Sequence, residues 1–138
     1  MEKATMVARI DEDLGRIPEV RRACLAIVEY LSVNQEVLDR VTFGMLSKIA
    51  GTPEVTGVLP AVQYLSGSRL HLFDPRFEFI DVDRGSADEV PLDAVARARS
   101  EQKFYHPRTG EPVENFEEWL MMFFVLSEEA RSLREHRR

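Results

Sequence analysis

Asp81 and Asp83 have the spacing that comes nearest to a metal-binding or catalytic arrangement in this sequence. Two carboxylates separated by one residue at the end of a strand point to the same side, and such a pair can hold a divalent ion. The residues from Arg84 to Glu89 lack the glycine and glutamate positions of a calcium-binding loop. A metal-dependent enzyme centred on the two aspartates is one hypothesis, although a solvated hairpin end explains the same acids.

The histidines and the cysteine do not form a second chemical site. His71, His106 and His136 fall in a predicted strand, a predicted loop and the C-terminal tail, so no two have metal-ligand spacing on one element. Cys24 lies on the apolar face of a predicted helix, which is typical of a structural cysteine. The sequence also lacks the glycine patterns of phosphate-binding loops. We therefore expect a non-enzymatic protein without a cofactor.

The composition of the chain excludes several classes of protein. The chain has 138 residues, 44% of them hydrophobic, which suits one folded domain and is too apolar for a disordered chain. Its net charge of −6 opposes non-specific adhesion to nucleic acid or to anionic lipid. The longest apolar run, residues 119–126, is too short to span a membrane, and no signal peptide is recognisable. A single cysteine is typical of a reducing compartment, so the sequence predicts a cytoplasmic protein.

Two helices are predicted from their terminal residues and apolar faces. Pro18 suits the first position of a helix, and apolar side chains recur on one face of residues 18–34. Thr42 is a good N-cap, and Gly51 readily adopts the left-handed conformation that follows a helix. A second, shorter helix is therefore expected over residues 43–50.

The neighbouring segments are less regular. Residues 1–17 fit either a helix or a short strand, because their apolar spacing is compatible with both. A third helix is expected from Pro53 towards Leu65. Pro60 either kinks this helix or delays its regular part until that position.

A β-hairpin is predicted next. Residues 69–73 and 77–82 alternate apolar and polar side chains, and the Asp-Pro-Arg sequence at residues 74–76 is a turn signal between them. Residues 83–90, rich in Asp, Gly, Ser and Glu, are expected to form a solvated connection.

Two C-terminal helices complete the prediction. Pro91 begins a helix over residues 92–103. Asn115 and Glu118 have capping-box spacing, which predicts a last helix from residue 116 to about residue 135. The predicted fold class is therefore mainly α with a small β-hairpin, that is, α+β.

The order of elements over residues 18–82 resembles the winged-helix variant of the helix-turn-helix. Residues 45–51, Met-Leu-Ser-Lys-Ile-Ala-Gly, resemble the second helix of that family and its turn glycine. Residues 52–66 correspond to the recognition helix, and residues 69–82 correspond to the wing. The resemblance implies a winged-helix-like core with an N-terminal segment before it.

The resemblance divides the chain into three predicted parts. Residues 1–17 form the N-terminal segment, residues 18–82 the winged-helix-like core, and residues 83–138 a C-terminal helical extension that packs on the core. Residues 91–138 have no recognisable counterpart in the winged-helix family.

The resemblance suggests DNA binding as one function. In DNA-binding members the third helix reads base edges in the major groove, usually through cationic or amide side chains. The corresponding segment here has no lysine or arginine, so it cannot neutralise phosphates. A sequence-specific DNA-binding regulator is therefore the alternative hypothesis, with these contact residues: Lys48, Thr56, Gln63, Arg69 and Arg76.

The predicted last helix favours a protein ligand instead. It is apolar on more than one face, whereas a surface helix of a monomer normally has one narrow stripe. Packing in the centre of the molecule would explain this without a partner, and a docking or dimer surface is the other explanation. The candidate partner-binding residues are Trp119, Met122, Phe123 and Leu126. The leading hypothesis is a non-enzymatic interaction protein or regulatory adaptor, binding a protein partner or a second copy.

The segment from Tyr105 to Pro112 is a further candidate. It combines aromatic and basic residues with two prolines, and binding residues concentrate on loops held by rigid elements. The sequence leaves two interpretations open, a recognition loop and a stiffened connection.

Overall fold

The computed structural model describes residues 1–133, and this part of the chain has the predicted α+β fold. His136 and the expected helix end near residue 135 lie outside the described residues. Within residues 1–133, no helix combines the length and the apolar character that crossing a membrane requires. The helices are α1 (Lys3–Leu14), α2 (Pro18–Asn34), α3 (Phe43–Ala50), α4 (Leu59–Ser66), α5 (Leu92–Glu101) and α6 (Glu128–Arg131), and the strands are β1 (Phe73–Asp81), β2 (Ser86–Val90) and β3 (Leu120–Leu126).

The chain divides into two compact units. The first contains Met1–Asp74 together with the segment that begins at Phe124, and the second is Pro75–Phe123. The chain passes from one unit to the other within β1 and again within β3. Each unit has its own cluster of buried apolar side chains.

The ambiguous N-terminal segment forms helix α1. Met6, Ile10 and Leu14 recur at helical spacing and are all buried, so they form the apolar face of that helix. Helix α2 begins at Pro18 and buries Cys24, both as predicted. Burial raises the pKa of the Cys24 thiol to about 12, which keeps it protonated and unreactive.

Helix α3 has the predicted terminal residues. The Thr42 hydroxyl accepts a hydrogen bond from the Met45 N–H at 3.2 Å, and Gly51 has the left-handed backbone with φ 73°. The next segment begins with a 3₁₀ turn, Val55–Val58, and the regular helix α4 starts at Leu59. Pro60 lies in the first turn of α4, where its missing N–H needs no helical partner, so the delayed start is confirmed.

The apolar core of the first unit includes Phe73 and Phe124. Their rings lie 5.7 Å apart, and Phe43 meets the Phe124 ring edge-on at 5.1 Å. Val41 and Phe124 exchange two backbone hydrogen bonds of 2.8 Å. The predicted partner residue Leu126 is also buried in this core.

The predicted turn at residues 74–76 is wrong. Strand β1 continues through Pro75, and its antiparallel ladder with β2 begins at Phe77, opposite Val90. Pro75 therefore lies outside the β2 ladder, where its missing N–H removes none of the bonds between the two strands. The turn lies further along the chain and contains Gly85, with φ 63°.

The solvated connection expected over residues 83–90 is also wrong, because Ser86–Val90 forms β2. The sheet order is β2-β1-β3, so β2 is an edge strand. Asp88 and Glu89 suit this position because acidic side chains on an edge strand discourage pairing with another chain.

The last predicted helix is wrong as well. Asn115 has a left-handed backbone without a side-chain cap, Phe116–Trp119 is a 3₁₀ turn, and the apolar run continues as β3. Periodicity does not separate a short buried strand from a buried helix. The consecutive residues Phe123 and Phe124 are both buried, which fits a strand because its successive side chains point to opposite faces.

We expect Thr42→Ala to lower the free energy of unfolding by about 1 kcal/mol, because the variant loses the N-cap bond of α3. Urea denaturation followed by circular dichroism measures this difference. Thr5→Ala is the matched control, since Thr5 is exposed within α1 and alanine favours a helix. Equal stability of Thr42→Ala and the wild type would contradict the assigned cap.

Candidate functional site

Arg69, a cation of the DNA-binding alternative, is engaged by acids of helix α1. Its guanidinium binds Asp13 through two contacts of 2.9 and 3.0 Å, and a third contact of 3.0 Å reaches Glu12. The hydrogen bond to Arg69 lowers the pKa of Asp13, and the same pair raises the pKa of Arg69. The Tyr64 hydroxyl donates to Asp13 at 2.5 Å, so this carboxylate serves both side chains. Burial, assisted by that bond, raises the pKa of Tyr64 to about 12.

The other DNA-binding candidates are spread over several elements. Arg76, in the second unit, binds the Glu89 carboxylate at 2.9 Å. Lys48 on α3, Thr56 in the 3₁₀ turn and Gln63 on α4 are exposed in the first unit. Within residues 1–133, Lys48 is thus the one cation of this set without an ion pair.

The predicted partner-binding residues separate into two groups. Trp119 and Met122 are exposed, with 37% and 36% of their surface in water, whereas Phe123 and Leu126 are buried. Met121, which the sequence did not single out, is 50% exposed. A helix would place side chains three or four positions apart on one face, whereas successive side chains of a strand point to opposite faces. The four candidates therefore do not form one surface.

The loop around His106 folds back on itself as a narrow two-limbed finger. The backbone N–H of His106 donates to the backbone carbonyl of Glu111 at 2.8 Å, and the backbone N–H of Val113 donates to that of Phe104 at 2.9 Å. Gly110 turns the chain with φ 75°, a conformation that favours glycine. This segment of the chain, Phe104–Val113, is called the finger loop below.

His106 attaches the finger loop to strand β1. Its Nδ1 accepts a hydrogen bond from the Arg108 N–H at 3.0 Å, so the ring proton is on Nε2, which donates to Asp81 at 2.7 Å. The ring also meets Phe79 edge-on at 5.1 Å. Both ring nitrogens are thereby occupied, so His106 has no free nitrogen to act as a base in this arrangement.

Asp81 interacts with Arg84 as well as with His106. The Arg84 N–H donates to its carboxylate at 3.2 Å, and the Arg84 side chain lies 3.5 Å away. The His106 bond, together with the Arg84 N–H, lowers the pKa of Asp81. Within residues 1–133, no group of three potential metal ligands is present, and the Asp81 carboxylate accepts the bond from His106.

An ion pair holds the tip of the finger loop. The Arg108 guanidinium makes two contacts with Asp88 on β2, at 2.8 and 3.0 Å. The Arg108 bond lowers the pKa of Asp88, and the pair raises the pKa of Arg108. The loop is therefore fixed to both strands of the hairpin.

A groove with a volume of about 790 Å³ lies along the finger loop. Its aromatic lining includes Phe104 and Phe116, whose rings stack at 5.6 Å, and the half-exposed Tyr105. Its polar lining includes one base, Lys103, and the following acids: Glu114, Glu117 and Glu118. Below, this concavity is called the finger groove.

A smaller pocket of about 300 Å³ shares its Pro112–Glu114 wall with the finger groove. Trp119 lines it, together with His106 and three acids, Asp81, Asp83 and Glu114. It is called the Trp119 pocket below. The two concavities thus lie against the same returning limb of the finger loop.

Several carboxylates of this site have no cation. Arg99 binds Glu117 through contacts of 2.8 and 3.0 Å, which lowers the pKa of Glu117. Asp83, Glu114 and Glu118 form no ion pair in the part of the chain that the structure describes. The site therefore combines aromatic surface with unneutralised negative charge.

Comparison with protein-family models, with curated proteins and with solved structures gave no match. The geometry of the finger groove and the Trp119 pocket is therefore the basis for assigning a function. The sequence signalled part of this site, since the run from Tyr105 to Pro112 and Trp119 were both candidates. It gave no indication that Asp81 binds His106, because these residues are 25 positions apart.

We expect Asp81→Asn to reduce the loss of stability that acid causes. Because the folded-state pKa of Asp81 lies below its ordinary value of 3.8, the carboxylate stabilises the fold above that value. This contribution disappears as the pH falls through the folded-state pKa. Urea midpoints measured at about pH 6 and about pH 3 should therefore differ more in the wild type than in the variant.

In Asp81→Asn the asparagine oxygen can still accept the hydrogen bond from the His106 ring Nε2–H. The other acids with a lowered pKa are unchanged, so the difference in pH dependence between the two proteins reports on the Asp81 charge. An equal pH dependence in both proteins would contradict the assigned His106–Asp81 interaction.

Proposed function

We propose that this protein is a non-enzymatic interaction module, acting as a regulatory adaptor, whose finger groove binds an extended basic segment of a partner protein. The observation that carries the proposal is the groove itself, with stacked Phe104 and Phe116 in its lining and three glutamates among its polar residues. Aromatic side chains contribute much of the energy at protein interfaces.

The fixed position of the finger loop supports peptide binding. His106 binds Asp81, and Arg108 binds Asp88, so the outgoing limb and the tip of the loop are held before a ligand arrives. A preformed site loses less conformational entropy on binding than a mobile one. The volume of about 790 Å³ falls in the range of ordinary ligand sites.

The charge of the groove supports a basic ligand. Glu114 and Glu118 have no ion pair within residues 1–133, and Lys103 is the one base in the lining. The net charge of −6 adds an attractive long-range field for a cationic segment. An acidic peptide would meet repulsion from both sources.

The paired arginines support a protein ligand over DNA. Arg69 is bound by Asp13 and Glu12, and Arg76 by Glu89, so DNA phosphates would have to displace these acids. The resemblance of residues 18–82 to winged-helix domains stays a prediction. Under this proposal that segment serves as the scaffold, and the presence of a single cysteine supports a cytoplasmic location.

We expect a fluorescent octapeptide of alternating lysine and leucine to bind, and the corresponding glutamate–leucine peptide not to bind, in fluorescence anisotropy titrations. Tyr105→Ala should weaken binding of the lysine peptide by about tenfold, because an exposed aromatic anchor is lost. Glu118→Lys should weaken it further, since this change reverses a charge of the groove.

Glu36→Lys is the matched control for Glu118→Lys. Glu36 is exposed in the first unit, and the two variants have the same net charge. Equal loss of binding in both variants would show that the peptide responds to overall charge, and the proposed groove would then be rejected.

DNA binding is tested in a separate titration. We expect no saturable binding of duplex DNA at low salt, because non-specific affinity depends on lysine and arginine contacts with phosphates. Binding that weakens steeply as salt is added, and that Lys48→Ala reduces, would contradict the adaptor proposal and favour the DNA-binding regulator.

A further inference from the structure

The Trp119 pocket has a different character from the finger groove. Its volume of about 300 Å³ is at the lower end of the range for ligand sites, which suits one side chain better than a longer segment. Trp119 is 37% exposed, so part of its indole is available to a ligand. The pocket lining contains three acids and one histidine, and no lysine or arginine.

The charges around the pocket favour a cation. Asp83 and Glu114 form no ion pair within residues 1–133, whereas Asp81 binds His106. Arg84 brings its own guanidinium to within 3.5 Å of Asp81, so a guanidinium already approaches this group of acids. Arg84 is one cation beside three carboxylates, which leaves negative charge unneutralised.

The combination of indole and carboxylates is suited to a guanidinium in particular. A cation over the face of tryptophan gains cation–π attraction, and tryptophan is the best aromatic residue for this contact. Guanidinium is planar, stacks on aromatic rings and pairs with carboxylates through a fork of N–H donors. An ammonium group gains the charge attraction without the stacking.

We propose that the Trp119 pocket is a specificity subsite for a single arginine side chain of the bound segment. Trp119 provides the stacking surface, and Asp83 and Glu114 provide the carboxylates. The inference rests on the proposed function, since the finger groove would hold the neighbouring residues of the same segment. The shared wall, Pro112–Glu114, places the two sites on adjacent sides of one limb of the finger loop.

The sequence supplies a direct reporter for this subsite. The chain contains one tryptophan, so its intrinsic fluorescence reports on Trp119 alone. The probes are two pentapeptides, acetyl-Gly-Leu-Xaa-Leu-Gly-amide, in which Xaa is arginine or citrulline. Citrulline has nearly the same shape as arginine but carries no charge. We expect the arginine peptide to produce a saturable change in Trp119 emission and to bind about tenfold more tightly than the citrulline peptide.

Two variants and one control locate the effect. Asp83→Asn and Glu114→Gln should each weaken the arginine peptide by about three- to tenfold and leave the citrulline peptide unchanged. Glu36→Gln removes the same charge from the first unit and should leave both affinities unchanged. A matched thermal denaturation of each variant shows that it remains folded.

The possible results separate this inference from the proposed function. If labelled lysine–leucine octapeptide still binds the groove while the arginine and citrulline pentapeptides bind alike, the arginine subsite is overturned and the groove stands. If neither kind of peptide binds, both are overturned. A preference for arginine that survives Asp83→Asn and Glu114→Gln also overturns the subsite.

Discussion

The hydrogen bond between His106 and Asp81 is the contact on which the candidate site depends. His106 accepts the Arg108 N–H at one ring nitrogen and donates to Asp81 from the other, so one side chain fixes both its own loop and a strand. The bond is partly buried, and a buried donor or acceptor that loses its partner costs about 1–3 kcal/mol. The walls of the finger groove therefore have a defined position without a ligand.

The distribution of ion pairs explains why an acidic protein retains an attractive site for cations. Arginines such as Arg69, Arg99 and Arg108 are each bound by carboxylates of their own unit. These pairs are exposed, so each contributes little to the stability of the fold. Each pair nevertheless engages an arginine that would otherwise be available to bind an external anion. The acids left over include Asp83 and Glu118, which line the two concavities of the second unit.

The ends of the helices could be predicted from residues close together in the sequence, whereas the strands depend on pairing between distant segments. Thr42 and Gly51 act within one turn of chain, so their roles were readable from the sequence. Residues 120–126 form a strand because they pair with β1, which no local pattern in the sequence records. Pro75 suggested a turn, yet it lies before the β2 ladder begins. The candidate site was predicted in part, since the loop containing His106 was recognised and its distant partner Asp81 was not.

An NMR titration of the nitrogen-15-labelled protein with the lysine–leucine octapeptide would show directly which surface binds the peptide. The proposed function predicts amide shift changes concentrated in residues 79–83, 102–106 and 112–119, which line the two concavities. Changes that instead concentrate in residues 43–66, the region compared with a helix-turn-helix, would contradict it.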